Sequence, residues 1–378
     1  MIRSKCIFTT IALLAAVLGS AQTPTPAGPA TDAQVPSPGP VAWKFGPFDV
    51  SGMIDAYYSL GFNHPAGHVD GLRNFDDKAN QLELNMASLT VDYTPKPVGF
   101  HFDAGVGRTF DIMSATEKDA TGMRFFKQAY VDVKPESWRG LELDFGRFVT
   151  SASAEVIETP NNWNYSRSLL FVWCTPYYHF GFRASAPIGT RFNAGFQLVS
   201  GWNNIITGAT PKTVGFTGAW TATPKVTWTN NVYSGPDENK TNRGQRNLYD
   251  SVLLLTPNSK ASFYINLDYL HNSPQHTPSY TVYGIAGAAR FQLNKRLSLS
   301  QRLEWLNDNT GMATGTGQQV KEFTVTGTYA LRDRLSAWLE FRNDWSNQPF
   351  FNRGNETTIW KEQPTLLLGL VAILGPKR

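Results

Sequence analysis

The side chains with the clearest chemical potential are concentrated between residues 150 and 176. The stretch VIETPNNWNYSRSLLF, residues 156–171, is rich in amide, hydroxyl and aromatic groups; Glu155 precedes it, and Glu158 and Arg167 lie within it. Charged side chains of both signs at this spacing can set the local field of a narrow passage. The stretch has no periodicity of its own, so its role depends on the elements that hold it.

Sequence motifs for hydrolysis, metal-dependent catalysis and phosphate binding are missing. The chain contains no G-x-S-x-G, no H-E-x-x-H and no phosphate-binding loop. Two histidine pairs, His64 with His68 and His271 with His276, fall in predicted loops, which lack the fixed ligand spacing of a helix. Cys174 is the one cysteine beyond the first 21 residues, which excludes an internal disulfide there. We predict no catalytic residue, metal or cofactor; a Ser-His site defined by geometry alone stays open as an alternative.

The N-terminus has the features of an export signal. Arg3 and Lys5 precede a short apolar run at 11–18 and small residues at 19–21. The run is too short for a membrane anchor, which needs roughly 20 apolar residues. We therefore predict a signal peptide over 1–21, cleaved after Ala21. The following segment, 22–45, is rich in proline, and its composition predicts a solvated periplasmic linker.

The body of the chain, 46–378, repeats one pattern. Apolar and polar side chains alternate over about ten residues at a time, which is typical of strands with one apolar and one polar face. In ASFYINLDYL, for example, Ile265 and Leu267 alternate with Asn266 and Asp268. Sixteen such segments are predicted to start near residues 48, 80, 97, 123, 139, 177, 190, 213, 224, 246, 259, 280, 296, 319, 333 and 363.

The connections between these segments alternate in length. Short turns, such as TPKP at 94–97 and PNSK at 257–260, are interleaved with longer polar loops. The long loops span 61–79, 110–122, 150–176, 202–212, 234–245, 271–279, 308–318 and 345–362. This rhythm is typical of an all-β, up-and-down antiparallel transmembrane β-barrel, with short periplasmic turns and long external loops. A soluble sandwich or propeller is the alternative, but neither requires loops that alternate in length.

A barrel of about 16 strands leaves a water-filled lumen, so the polar strand faces are expected to line it. The predicted wall residues are Asp55, His101, Asp103, Glu142, Asp144, His179, Arg183, Asp268, Arg302, Glu304, Glu340 and Arg342. Opposite charges across a lumen orient dipolar solutes, although such residues also simply hydrate the wall and pair with each other.

The loop 150–176 is the longest, and it is expected to fold into the lumen and narrow the pore. Glu155 and Glu158 would repel anions, Arg167 would oppose them, and Trp163 and Tyr165 would anchor the loop to the wall, with Asn162 in the same constriction. The alternative is a solvated surface loop with incidental charges.

The segment FGRFVTSASAEVIETPNNWNYSRSLLFVWCTPYYHFGFRASAP resembles the characteristic region of the OmpL-like putative β-barrel porin-2 family. The matched positions are Gly146, Phe148, Glu155, Asn162, Trp163, Asn164, Tyr165, Ser166, Arg167, Ser168, Pro176, Tyr177, His179, Gly181 and Arg183. The resemblance runs over roughly 46–374 and implies an outer-membrane porin without catalytic residues. One departure is that Ser153-Ala154 stands where the family has a Gly-Ala pair.

These observations predict a porin in the bacterial outer membrane that passes small hydrophilic solutes or ions by passive diffusion. The expected partners are outer-membrane lipid and the solutes, a wide barrel is compatible with a homotrimer, and the net charge of +4 gives no indication of nucleic-acid binding. The alternatives are a structural or adhesive barrel with a plugged lumen, and a lipid hydrolase embedded in a barrel.

Overall fold

The computed structural model describes residues 42–115, 117, 122–205, 212–236 and 243–375. The predicted signal peptide and most of the predicted linker lie outside the described residues. Strands dominate the fold, and two short helices lie in loops. In chain order the elements are β1 (Trp43–Phe45), β2 (Phe48–Gly61), β3 (Gln81–Tyr93), β4 (Val98–Val106), α1 (Arg108–Met113), β5 (Phe126–Val133), β6 (Glu142–Val149), α2 (Leu169–Trp173), β7 (Tyr178–Ile188), β8 (Phe192–Val199), β9 (Thr213–Thr223), β10 (Val226–Gly235), β11 (Gln245–Asn258), β12 (Ala261–Ser273), β13 (Tyr280–Gln292), β14 (Leu297–Asp308), β15 (Gln318–Arg332), β16 (Leu335–Ser346), β17 (Phe351–Arg353), β18 (Asn355–Trp360) and β19 (Glu362–Leu374).

The strands form a closed antiparallel barrel of 16 strands, which confirms the predicted fold class. From β2 to β16 each strand pairs with its neighbour in sequence; β19 then pairs with both β16 and β2, and this last pairing closes the wall. The predicted strand starts agree with the observed ones to within three residues. The short β1 pairs with the start of β2, and β17 and β18 form a separate hairpin in the last long loop.

The wall is inverted relative to a soluble protein. On β12, Ile265, Leu267 and Tyr269 are exposed, whereas the alternating Asn266 and Asp268 are buried. The same holds on β14 and β16, where Leu303 and Leu339 are exposed and the charged residues between the outward positions are buried. Because successive side chains of a strand point to opposite faces, the apolar face is outside and the polar face is inside. This is the arrangement of a barrel whose outer face meets lipid.

β19 is the exception, with apolar side chains on both faces. Its inward residues Leu367 and Val371 pack in a buried cluster with Met53, Trp338 and Tyr165. The apolar inner face of β19 therefore packs against Tyr165, a side chain in the interior of the barrel. Within the described residues, no helix is long and apolar enough to cross a membrane.

Candidate functional site

Residues 150–176, which connect β6 to β7, fold into the barrel, and we call this segment the luminal loop. Most of its residues are buried, and its partners are the inward-facing side chains of the wall. Its local structure consists of a 3₁₀ turn, Thr159–Asn161, and the short helix α2. Ser168 caps α2, since its hydroxyl accepts a hydrogen bond from the Phe171 amide at 3.0 Å.

Two side chains hold the luminal loop in shape from within. The Asn162 amide group donates to the carbonyls of Val156 (2.8 Å) and Glu158 (2.9 Å), while its oxygen accepts from the Val156 N–H (2.9 Å). The Arg167 guanidinium donates to the carbonyls of Val156 (2.8 Å) and Ile157 (2.6 Å), and also to Tyr165 O. These bonds satisfy backbone groups that would otherwise be buried without partners.

On one side the loop docks on β2 through Asp55. This carboxylate accepts hydrogen bonds from the Tyr165 hydroxyl and from Thr159 Oγ1, both at 2.6 Å, and from Asn85 Nδ2 at 2.7 Å. Nearby, Lys127 of β5 forms ion pairs with Glu158 of the loop and with Asp103 of β4, the latter at 2.6 Å.

A second side of the loop docks on β14, β15 and β16. Glu340 accepts from the amides of Tyr165 (2.6 Å) and Ser166 (3.0 Å). Arg302 donates to Glu155 (2.6 Å) and to the Ser166 carbonyl (2.8 Å). In addition, Asn164 donates to Thr326 Oγ1 and Arg342 donates to the Arg167 carbonyl, each at 2.7 Å.

The loop also reaches the opposite wall. Asn231 of β10 donates to the Ser151 carbonyl at 3.0 Å, and the Ala154 amide donates to Asn266 of β12 at 3.0 Å. Trp163 packs against Tyr264 of β12, with ring centroids 5.0 Å apart. In the order of the sixteen wall strands β10 is eight places from β2 and β12 is six, so these contacts lie on the far side of the barrel from Asp55.

The wall has two recesses for apolar parts of the loop. Gly369 of β19 faces Tyr165, and a Cβ atom at position 369 would overlap the tyrosine ring. Gly284 of β13 faces Leu170, where a Cβ atom would lie 2.7 Å from Leu170 Cδ2. Close approach of the loop to the wall therefore depends on glycine at position 369. At position 284 a Cβ atom would meet the Trp305 carbonyl oxygen of the neighbouring strand first, so glycine there serves the strand pairing as well as the contact with Leu170.

A chain of buried ion pairs links the luminal loop to the wall and to the first long loop. Arg302 pairs with Glu304 (2.7 Å) and Glu322 (3.0 Å), and Arg342 pairs with Asp344 (2.8 Å). Asp344 in turn pairs with Arg73 at 3.1 Å, and Arg73 pairs with Asp76 at 2.6 Å. The interior at this level contains fixed charges of both signs in close alternation.

The twelve wall residues predicted from sequence fall into distinct groups in the structure. Asp55, Arg302, Glu304, Glu340 and Arg342 contact the luminal loop directly. Asp103 and Asp268 are joined to it through Lys127 and Asn266, respectively.

The remaining predicted residues do not all lie in one place. His179 contacts the start of the luminal loop, with its Nε2 3.4 Å from Thr150 Oγ1. Its ring stacks on Tyr233 (4.9 Å), and its Nδ1 lies 3.0 Å from the Gly201 carbonyl. Nearer the short turns, Arg183 pairs with Asp144 at 2.6 Å and Glu142 with Lys134 at 2.8 Å. His101 lies 2.6 Å from Asp92 in the same region.

Sequence reasoning missed several residues of this network. Glu322 and Asp344 lie two residues from the inward-facing Thr324 and Arg342 on their strands, so their inward positions were accessible to the period-two argument. The inward position of Lys127 could not be predicted in this way, because Lys127 lies at a register shift between β4 and β5 that interrupts the alternation. Arg73 lies in a loop, where the sequence contains no periodic signal.

Comparisons with known proteins agree with this geometry. The family model described as "Putative beta-barrel porin-2, OmpL-like" matches residues 47–374. No curated protein matches the chain.

Among solved structures, the anion-selective porin from Comamonas acidovorans aligns with a TM-score of 0.59 at 10% identity, covering 86% of this chain and 99% of that one. The outer membrane channel DcaP of Acinetobacter baumannii aligns with a TM-score of 0.57 at 9% identity, covering 88% and 100%. OmpT, an outer membrane protein of Vibrio cholerae in its trimer form, aligns with a TM-score of 0.56 at 9% identity, covering 86% and 98%.

Identities this low show the fold alone. The family match is of a different kind, because it extends from just before the first wall strand to the last residue of β19. The chain therefore belongs to the OmpL-like putative β-barrel porin-2 family.

Proposed function

We propose that this protein is an outer-membrane channel through which small hydrophilic solutes diffuse passively, with the luminal loop as the narrowest part of the path. The observation that carries the proposal is the inverted wall together with a polar loop that bonds to it on opposite sides. A sixteen-stranded wall encloses a wide lumen, and a polar segment inside it limits the solutes that pass.

The charges beside the loop would act on solutes through their arrangement. Glu155 and Glu158 are paired with Arg302 and Lys127, so each acid faces a base at short range. Pairs of this kind create a field across the path that orients dipolar solutes. Arg302 and Lys127 keep their other acidic partners when the two acids are removed, but the interior beside the loop loses two negative charges, which shifts the preference of the channel towards anions.

A plugged barrel is the second candidate, and one observation favours it. The luminal loop is bonded to β2 and β5 on one side, to β14, β15 and β16 on another, and to β10 and β12 across the barrel. A segment fixed on so many sides is suited to seal a lumen as well as to narrow it. The difference between the two functions is then whether ions pass the loop in its docked state.

Single-channel conductance in a planar bilayer tests both candidates. The wild type is compared with Glu155→Gln/Glu158→Gln and with a deletion inside 156–166, each first shown to be folded by heat-modifiable mobility. A diffusion channel gives discrete steps that grow in the deletion, and the double variant shifts selectivity towards anions. Steps from the deletion alone would establish a plug. If none of the three folded proteins gives conductance steps, the channel function is rejected.

The proposal includes a non-enzymatic role, residence in the bacterial outer membrane after export, and contact with outer-membrane lipid. It is supported by family membership and by structural neighbours whose names describe porins and outer-membrane channels. A homotrimer is compatible with it, since one neighbour was solved in a trimer form.

A further inference from the structure

The short turns at one end of the barrel have a charge distribution that the proposed transport function does not use. Each of the seven turns carries at least one basic residue, represented by Lys96, Arg139, Arg191, Lys225, Lys260, Lys295 and Arg334. Between the strand ends these turns contain nine basic and two acidic residues. We call this end of the barrel the turn rim.

The opposite end of the barrel differs in its charge. The eight long connections contain eleven basic and eleven acidic residues in the sequence, so their formal charges balance. The positive charge is therefore concentrated at the turn rim and is not a general feature of the surface. Lys225, Lys260 and Lys295 are exposed there, and among the described residues the structure shows no ion pair for their side chains.

Exposed apolar side chains accompany these bases. Trp138 is 41% exposed next to Arg139, Ile188 is 59% exposed near Arg191, and Leu293 is 58% exposed near Lys295. Apolar and aromatic groups beside lysine and arginine are the combination found where a protein surface meets lipid headgroups. Long basic side chains keep their charge at the headgroups while their stems lie against apolar surface.

The distribution around the circumference identifies the kind of partner. The turns join every second pair of neighbouring strands, so the bases surround the barrel and do not form one patch. A folded protein would contact one arc of such a ring, whereas a lipid leaflet contacts all of it. With the short turns on the periplasmic side, this leaflet is the inner one.

We propose that the turn rim binds the anionic phospholipid headgroups of the inner leaflet. The proposal rests on the outer-membrane location given above, but not on whether the lumen conducts. Each basic side chain near an anionic surface strengthens binding about fivefold, so three together contribute about a hundredfold.

The test measures the binding of phosphatidylglycerol relative to phosphatidylcholine by native mass spectrometry of the folded barrel. The rim variant is Lys225→Gln/Lys260→Gln/Lys295→Gln. The matched control, Arg124→Gln/Lys321→Gln/Lys361→Gln, removes three exposed charges from the long-loop end. We expect the wild type and the control to prefer phosphatidylglycerol, and the rim variant to lose most of that preference, by up to about a hundredfold.

Equal binding of both lipids by the wild type, or an equal loss in rim and control variants, would overturn the proposal. Co-sedimentation with purified peptidoglycan covers the alternative partner: if the rim variant loses that binding while lipid preference is unchanged, the rim docks on the cell wall and not on lipid. A barrel that fails to insert into vesicles at all would instead reject the membrane location, and conductance is scored separately.

Discussion

At the residue scale, Asp55 and Tyr165 join the luminal loop to the first wall strand. The Tyr165 hydroxyl donates to Asp55 at 2.6 Å, and both side chains are buried. A hydrogen bond to a charged group contributes about 1.5–3 kcal/mol to the state in which it forms. This contact should therefore control how often the loop leaves the wall.

Tyr165→Phe removes this bond and keeps the ring. We expect the loop to open roughly 10- to 100-fold more often. Cys174 is a natural reporter, because it is buried at the end of the loop and burial raises the pKa of its thiol. The measurement is the rate at which a maleimide labels Cys174 in the folded protein. Tyr249→Phe, at an outward-facing tyrosine bonded to Asn230, is the control and should label like the wild type.

Gly369→Ala tests the same contact from the wall side. The added methyl group would overlap the Tyr165 ring, so the ring must move and the loop loosens. We expect Cys174 labelling to accelerate at least tenfold, by the same measurement. Gly287→Ala is the matched control, since a Cβ there meets nothing within 4 Å. Equal rates of Cys174 labelling in the two alanine variants would show that Gly369 does not hold the loop in place.

Ser153 has a backbone conformation that residues other than glycine rarely adopt. Its φ of 88° lies in the left-handed region that favours glycine. Serine at this position makes two contacts that glycine cannot: its hydroxyl donates to Asn266 Oδ1 at 3.3 Å and accepts from the Glu155 amide at 3.2 Å. The side chain thus offsets part of the backbone strain by tying the loop to β12.

At the element scale, the connection between β2 and β3 closes over the luminal loop. Its residues Leu72 and Phe75 are buried against loop residues, and Arg73 pairs with Asp344 of the wall. Asp70 in this connection is 1% exposed, and both of its carboxylate oxygens lack a hydrogen-bond partner. Burial raises the pKa of Asp70 to about 7; attraction to Arg73 opposes the shift, and Asp76, Asp344 and Asp77 add to it.

This connection should be closed most firmly at low pH. A carboxyl group whose pKa is higher in the closed state than in the open one favours closure when protonated. The stabilisation of the closed state by protonated Asp70 is complete below the ordinary pKa of about 4. This stabilisation decreases as the pH rises towards 7 and is absent above pH 7. We expect protection of amides 62–80 from hydrogen exchange to fall at least tenfold between about pH 5 and pH 8, after correction for intrinsic exchange.

Asp70→Asn should remove this pH dependence, because the amide has no charge to bury. Asp111→Asn, at an exposed carboxylate on α1, should retain the wild-type slope. Protection that rises with pH in the wild type, or a slope that persists in Asp70→Asn, would contradict the assignment.

At the scale of the whole molecule, the inverted wall predicts how charge is tolerated on the outer face. Leu303, in the middle of β14, is 63% exposed, and Leu293, in a short turn, is 58% exposed. If lipid covers the wall, Leu303→Arg should cost about 2–4 kcal/mol and Leu293→Arg about 0–1 kcal/mol. Denaturant unfolding from vesicles measures both values. Equal, small costs would indicate that water and not lipid surrounds the wall.

The sequence was sufficient for the wall because a strand's two faces are encoded locally. Period-two alternation located the strands, and the alternation of short turns with long loops determined their up-and-down order. The inward position of residues such as Asp55 and Arg302 follows from the same local rule. The inner face of β19 was harder to predict, since it packs on Tyr165, a residue more than two hundred positions away in the chain.

The candidate site could be predicted only in part from the sequence, for the same reason. Composition indicated that 150–176 was unusual, and family resemblance marked its NWNYSRS run, but neither assigned a partner to any side chain. Asn162 and Arg167 hold the loop itself, whereas Tyr165 and Ser166 dock on the wall; side chains of similar polarity thus have different roles. Lys127, at its register shift, and Arg73, in a loop, were missed because no periodicity applies to them.

By itself, the sequence determined the class of the protein, the number and order of its strands, and which face of each is polar, because these depend on neighbours two residues apart and on turn length. Only the tertiary structure decided where the longest loop lies and what holds it. Its anchors come from strands far apart in sequence, and barrel closure brings Asp55, Asn231, Arg302 and Glu340 around one segment. The contacts between them exist only once the wall has closed, and no local pattern in the chain can encode such distances.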